Sequence, residues 1–272
     1  MKRNSQGPRT PQQTGSAQLS GKPKKTASAR KPARFLPLAI GMSGGVILST
    51  AAFWFFKQQA ENVVEGTADR YDTKLLELVH SAQSPNIDRA MRVATALGSH
   101  TAIGGSAAVT ALVMIRRRRP HDAWTVLIST GGAMVLNTVL KAIFQRQRPQ
   151  ELHRLIKLPK SHSFPSGHSL LSAATYPIVV HHLVERLPMR GQVVALLATA
   201  GLIGSVGYSR VYFAVHFPSD VLAGFTAGLG WLGLTSLSHT LMDRDMTARE
   251  RRRVARLDRE IAMDEQEPPS GV

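Results

Sequence analysis

The chain contains no cysteine. That excludes a disulfide framework, a zinc–thiolate site and a thiol nucleophile, and leaves the redox compartment open. Acidic residues are scarce: 18 Asp and Glu stand against 34 Lys and Arg, a formal net charge of +16. Such an excess makes a polyanion the partner to consider. Nucleic acid fits poorly, because the positive charge comes in blocks between long apolar runs and not along one face. Residues 1–34 hold no acidic side chain and are rich in Lys, Arg, Ser, Gln, Gly and Pro. This composition buries no core, so a disordered basic tail is expected there. Residues 35–56 carry no charge of either sign.

An uncharged run of that length crosses the roughly 30 Å hydrocarbon layer as a helix. It exceeds the apolar segment of a secretory signal peptide and follows too long a basic leader to be one. Five further runs read as spans: residues 94–115, 123–144, 169–184, 191–208 and 221–241. The run 94–115 is rich in Gly, Ala, Ser and Thr, which suits the interior of a bundle where helices approach closely. Gly224 and Gly228 give the last run a GxxxG spacing of the same kind.

Six spans place both termini on one side. The basic tail, Arg116 to Arg119, the pair Arg186 and Arg190, and the stretch from Arg244 to Arg259 all fall on that side. By the positive-inside rule it is cytoplasmic. The fold expected is all-α: a six-helix membrane bundle over residues 35–242, a disordered tail 1–34 and a charged cytoplasmic tail 243–272 whose first part reads as a solvated helix. Between the first two spans, Val64, Tyr71, Leu75, Leu78 and Val79 recur at helical spacing. They predict an amphipathic helix on the outer surface, broken at Ser84-Pro85.

Three clusters sit at the outer ends of the spans. Lys141 is followed, after six residues, by Arg148-Pro149; Pro165-Ser166-Gly167-His168 opens the fourth span; Ser209-Arg210 is followed by His216 and Asp220. Lys141, Arg148 and Arg210 supply fixed positive charge, the arginines as planar forks matched to phosphate oxygens. Ser166 and Gly167 open a helix, where free backbone N–H groups favour an anion. A neutral imidazole attacks phosphorus if its tautomer and ring are fixed. Asp220, four residues after His216, can accept the other ring N–H and stabilise the resulting cation. His168 then protonates the leaving oxygen and later activates water.

Together the clusters resemble the signature of the type 2 phosphatidic acid phosphatase family, which shares its site with vanadium haloperoxidases. The resemblance covers roughly residues 75–241. It implies His216 as nucleophile, Asp220 as its partner, His168 as acid and base, and Lys141, Arg148, Ser166, Gly167 and Arg210 as the phosphate cradle. Alone, Lys141 is an ordinary snorkelling residue and Arg148-Pro149 a plain loop; jointly they are a site. His100, His153, His162 and His239 read as interfacial, with His162 near enough to touch substrate. His181, His182 and Glu185 suggest a metal site only superficially, since adjacent helical residues point about 100° apart. Arg146 and Arg154 flank the clusters and are candidates for a second phosphate.

The function expected is that of a lipid phosphatase without metal or cofactor, acting at the outer face of a bacterial plasma membrane. Its partners would be a lipid phosphate and membrane lipids, not nucleic acid. The resemblance implies undecaprenyl diphosphate, phosphatidylglycerophosphate or phosphatidic acid as substrate, with a lean to the polyprenyl diphosphate. A vanadate-dependent haloperoxidase and a non-catalytic lipid-binding or transport protein are the competing classes.

Overall fold

The computed structural model describes residues 35–150, 156 and 160–264. The tail 1–34, His153 and Arg154 lie outside the described residues. Those described form eight helices and no strand: α1 Phe35–Val64, α2 Asp69–Ser81, α3 Pro85–Leu97, α4 His100–Arg116, α5 Pro120–Phe144, α6 Gly167–Val184, α7 Met189–Tyr212 and α8 Pro218–Asp264.

Residues 35–56, 123–144, 169–184, 191–208 and 221–241 each fall within one helix, and residues 94–115 on two, α3 and α4. Among the described residues, α5, α7 and Pro218–Met242 of α8 have the length and apolarity of a crossing. The run 94–115 is not one straight helix. The chain bends by 51° between α3 and α4, and this pair counts as a fourth span if taken together. The cause is local: Gly98 ends α3, and Ser99 caps α4, its Oγ accepting from Ala102 N at 3.2 Å.

The α6 helix fails the hydropathy test for a physical reason. It packs against α4, α5, α7 and α8, so most of its surface meets protein and not lipid. Ser169, Ser172 and Thr175 are fully buried on it. Its contact with α8 depends on glycine. A Cβ on Gly224 would lie 2.6 Å from Ser166 O, and one on Gly228 would lie 2.4 Å from Leu170 O. The GxxxG spacing thus lets the two backbones touch.

The outer segment breaks at Ser84-Pro85 as expected, with Pro85 in the first turn of α3. The face of α2 is split. Leu76 and Val79 pack on Val211, Ala214 and Val221 of the bundle, while Tyr71, Leu75 and Leu78 stay exposed. The helix is therefore docked on the rim and still presents apolar side chains outward. At the other end of the chain, α8 runs without interruption to Asp264. It passes through residue 242, and no Gly or Pro interrupts residues 234–264.

Candidate active site

Helix ends and two short loops bring the three clusters together. Lys141 lies in the last turn of α5, and Arg148 follows in the extended chain after it. Gly167 and His168 open α6, Arg210 lies in the last turn of α7, and Asp220 in the first turn of α8. His216 stands in the loop between α7 and α8. The result is a cavity of about 410 Å³ lined by residues that include Lys141, Arg148, Arg210, His100, His168 and His216. Among the described residues, every charged side chain in that lining is cationic; Asp220 is fully buried beneath it.

His216 is held on both ring nitrogens. Nδ1 lies 3.4 Å from Asp220 Oδ2 and 3.4 Å from Ser163 Oγ. Nε2 lies 3.0 Å from Arg148 Nη1. A guanidinium only donates, so this contact requires a lone pair on Nε2 and puts the ring proton on Nδ1, toward Asp220. Burial, helped by Arg148 and Arg210 and opposed by Asp220, pushes the His216 pKa down to about 3. The ring is therefore neutral at physiological pH, with its free electron pair on the side of Arg148 and the cavity.

Asp220 is tied through both of its oxygens. Oδ2 accepts from Phe217 N (2.9 Å) and from Ser163 Oγ. Oδ1 accepts from Arg146 Nη1 (2.9 Å). Arg148 is fixed by carbonyls: Nε donates to Ser161 O (2.8 Å), Nη2 to His162 O (3.2 Å), and Nη1 also to Val215 O. Burial lowers its pKa while Asp220 opposes that shift. Arg210 donates from Nη1 to Thr95 Oγ1, and its buried Nε has no partner. Lys141 Nζ donates to His162 O and, at 3.4 Å, to Ser163 O.

Three placements differ from the reading of the sequence. Ser166 does not face the cavity. Its N–H donates to Asp220 O at 2.9 Å, and its Oγ accepts from Ser169 Oγ at 3.0 Å. The tight α6–α8 contact draws it back, which leaves Gly167 and His168 as the lining residues at this helix start. Arg146 is not available to a second phosphate, since Asp69, Asp72 and Asp220 occupy it. His100 is not merely interfacial. It lines the cavity, with its ring 6.1 Å from that of His168 in an edge-to-face arrangement. The break at Gly98-Ser99, which places His100 in the first turn of α4, was the signal for it.

Ser163 and Asn137 are site residues that the sequence did not disclose. Ser163 touches both members of the His216–Asp220 pair. Asn137, one helical turn before Lys141, lines the cavity with its Oδ1 buried and unpartnered. A Cβ on Gly167 would meet that amide at 3.2 Å. At the opposite end of the bundle, the donor atoms of His181, His182 and Glu185 do come within 4.8 Å of one another. Both oxygens of Glu185, however, are taken by the Arg119 guanidinium. A positive group already fills the place that a metal ion would need.

The site can hold a tetrahedral oxyanion between three cations and a helix start, with a neutral imidazole at one side. Comparison with known proteins agrees with this chemistry. The sequence model of the PAP2 superfamily matches residues 122–242, which contain all three clusters. Phosphatidylglycerophosphatase B of Bacillus subtilis is 32% identical over 179 residues, spanning 65% of this chain and 87% of that protein. An undecaprenyl-diphosphatase of Sulfolobus acidocaldarius is 32% identical over 133 residues, 47% of this chain and 60% of that protein. The crystal structure of a transmembrane PAP2 type phosphatidylglycerolphosphate phosphatase from Bacillus subtilis superposes with a TM-score of 0.65 at 29% identity, covering 69% of this chain and 94% of that one.

Proposed function

The chain belongs to the PAP2 superfamily and is a membrane lipid phosphatase, and we propose that it works through a phosphohistidine on His216. The observation that carries this is the cavity itself, where, among the described residues, His216 and His168 meet Lys141, Arg148 and Arg210 and no carboxylate. The phosphate oxygens take the donors of Lys141, Arg148 and Arg210 and the N–H groups opening α6. Arg148 Nη1 turns from Nε2 to a phosphate oxygen, which frees the Nε2 electron pair. Nε2 then forms a bond to phosphorus while the bond to the lipid oxygen breaks. His168 takes up a proton as the bound phosphate's negative charge offsets the cations beside it, and gives that proton to the lipid oxygen as the bond breaks. Positive charge appears on the imidazole, and Asp220, through Nδ1–H, stabilises it. In the second half, His168 takes a proton from water, the water oxygen bonds to phosphorus, and the N–P bond breaks to release phosphate. The cations stabilise the charge of the transferring group more strongly than that of the ground state.

The substrate proposed is a lipid phosphate or diphosphate, with undecaprenyl diphosphate as the leading case because the site is read as facing outward. Phosphatidylglycerophosphate and phosphatidic acid are the alternatives. Six crossings with cytoplasmic termini and an outward-facing site, in a bacterial plasma membrane, complete the proposal. The pairing of Arg119 with Glu185 supports placing their two basic loops on one side. Reporter fusions after Arg119 and Pro149 should mark opposite sides; the same side for both contradicts this topology. For the activity, purified protein is given the three lipids and released phosphate is measured. Release from at least one, abolished in His216→Ala, is expected. Wild-type release by His216→Ala overturns the mechanism.

A further inference from the structure

Arg146 stands two residues before Arg148, outside the cavity, and its guanidinium reaches four oxygens. Nη1 donates to Ser219 Oγ (2.7 Å) and Asp220 Oδ1 (2.9 Å). Nη2 donates to Asp69 Oδ1 (2.9 Å) and Asp72 Oδ2 (2.8 Å). Its flat face lies over the Phe217 ring, 4.3 Å from the centroid. Asp72 is 2% exposed and also receives Ser219 N (2.9 Å) and Ser219 Oγ. Asp69 and Asp72 are three residues apart on one face of α2, so the rim helix presents both carboxylates to one arginine.

A carboxylate this dry orients a histidine only if its own plane is held. Phe217 N and Ser163 hold Oδ2, the oxygen that faces His216. Arg146 Nη1 holds Oδ1, and a single cation shared by three carboxylates offsets part of the negative charge under the site. We propose that Arg146, anchored by Asp72 of α2, is a positioning residue for phosphoryl transfer: it fixes the Asp220 carboxylate and thereby the aim of His216 Nε2 at phosphorus. The inference rests on the His216–Asp220 reading given above. It makes the docking of α2 part of the catalytic apparatus, since the rim helix reaches His216 through Asp72, Arg146 and Asp220 in turn.

The test uses the purified full-length protein, phosphatidic acid and undecaprenyl diphosphate as substrates, and melting temperature as a fold control. Arg146→Gln should lower kcat by about 10–100-fold, with KM moved less than about threefold. Asp72→Asn should lower kcat in the same sense, and it carries the test if Arg146→Gln does not fold. The distinguishing readout is the double variant. Arg146→Gln placed on Asp220→Asn should cost less than about threefold further, because its target is already disabled. Methylguanidinium should restore part of the kcat lost in Arg146→Ala. Wild-type kcat in folded Arg146→Gln or Asp72→Asn, or a loss that multiplies in full with that of Asp220→Asn, overturns the inference. If Asp220→Asn itself turns over like wild type, the His216–Asp220 reading has failed instead.

Discussion

The two ends of the bundle use the same residue types to opposite ends. At one end, Arg119 bridges Glu185 and Asp122, His239 Nε2 lies 2.8 Å from Asp122 Oδ1, and His182 is buried beside them. Both carboxylates there are met by a cation from within the protein, and the cluster ties the start of α5 to the end of α6 and to the middle of α8. At the other end, Lys141, Arg148 and Arg210 turn to a cavity with no carboxylate among the described residues of its lining, and Asp220 lies underneath. The first cluster is finished by its own residues. The second, on the function proposed above, is completed by an anion from outside. What separates a latch from a site is where the carboxylates are, not how many charged groups are present.

That contrast is broken most sharply at His216. His216→Ala should lower turnover by about 10⁴-fold or more, measured as phosphate released per enzyme. Asp220→Asn should lower kcat by about 10²–10⁴-fold while the protein still folds. At the opposite end, Arg119→Ala should leave kcat within about twofold and instead cost about 1–3 kcal/mol of stability, read from melting in detergent. Equal activity losses at both ends would erase the distinction. Chelation should have a smaller effect still. The three cations of the cavity supply the charge that a divalent ion supplies in other phosphatases, so EDTA should leave phosphate release unchanged; full loss, restored by a divalent ion, contradicts this.

The pH dependence of stability gives a subtler separation. His216 has a pKa near 3 when folded and about 6.5 when unfolded. The unfolded chain therefore binds the extra proton between those values, and stability falls as pH drops through that window and is flat above it. His216→Gln should flatten the slope of melting temperature between pH 6 and pH 4 relative to wild type. An unchanged slope would mean that the ring is not held neutral by burial.

Much of the site was legible because its chemistry demands rare residues at helix ends. Lys141, Arg148, His168, Arg210 and His216 line one cavity, and each was singled out in the sequence by its place at the end of an apolar run. The fold was less legible. The bend at Gly98-Ser99 hides inside a continuous apolar run, and α6 is polar on a surface that only tertiary packing covers. Ser163, Asn137 and the true partners of Arg146 could not be read, because each acquires its role from residues far away in the chain. The links from Arg146 to Asp72 and from Ser163 to Asp220 each cross more than one helix. Ser166 was misread for the same reason: the carbonyl that receives its N–H belongs to α8.

The central claim is a covalent bond between phosphorus and one nitrogen. Labelled phosphatidic acid or undecaprenyl diphosphate is mixed with the purified protein, quenched without acid, and the phosphopeptide is mapped. The account predicts the label on His216, absent in His216→Ala and longer-lived in His168→Ala because water is no longer activated. Label on His168, or turnover at the wild-type rate in His216→Ala, would contradict it.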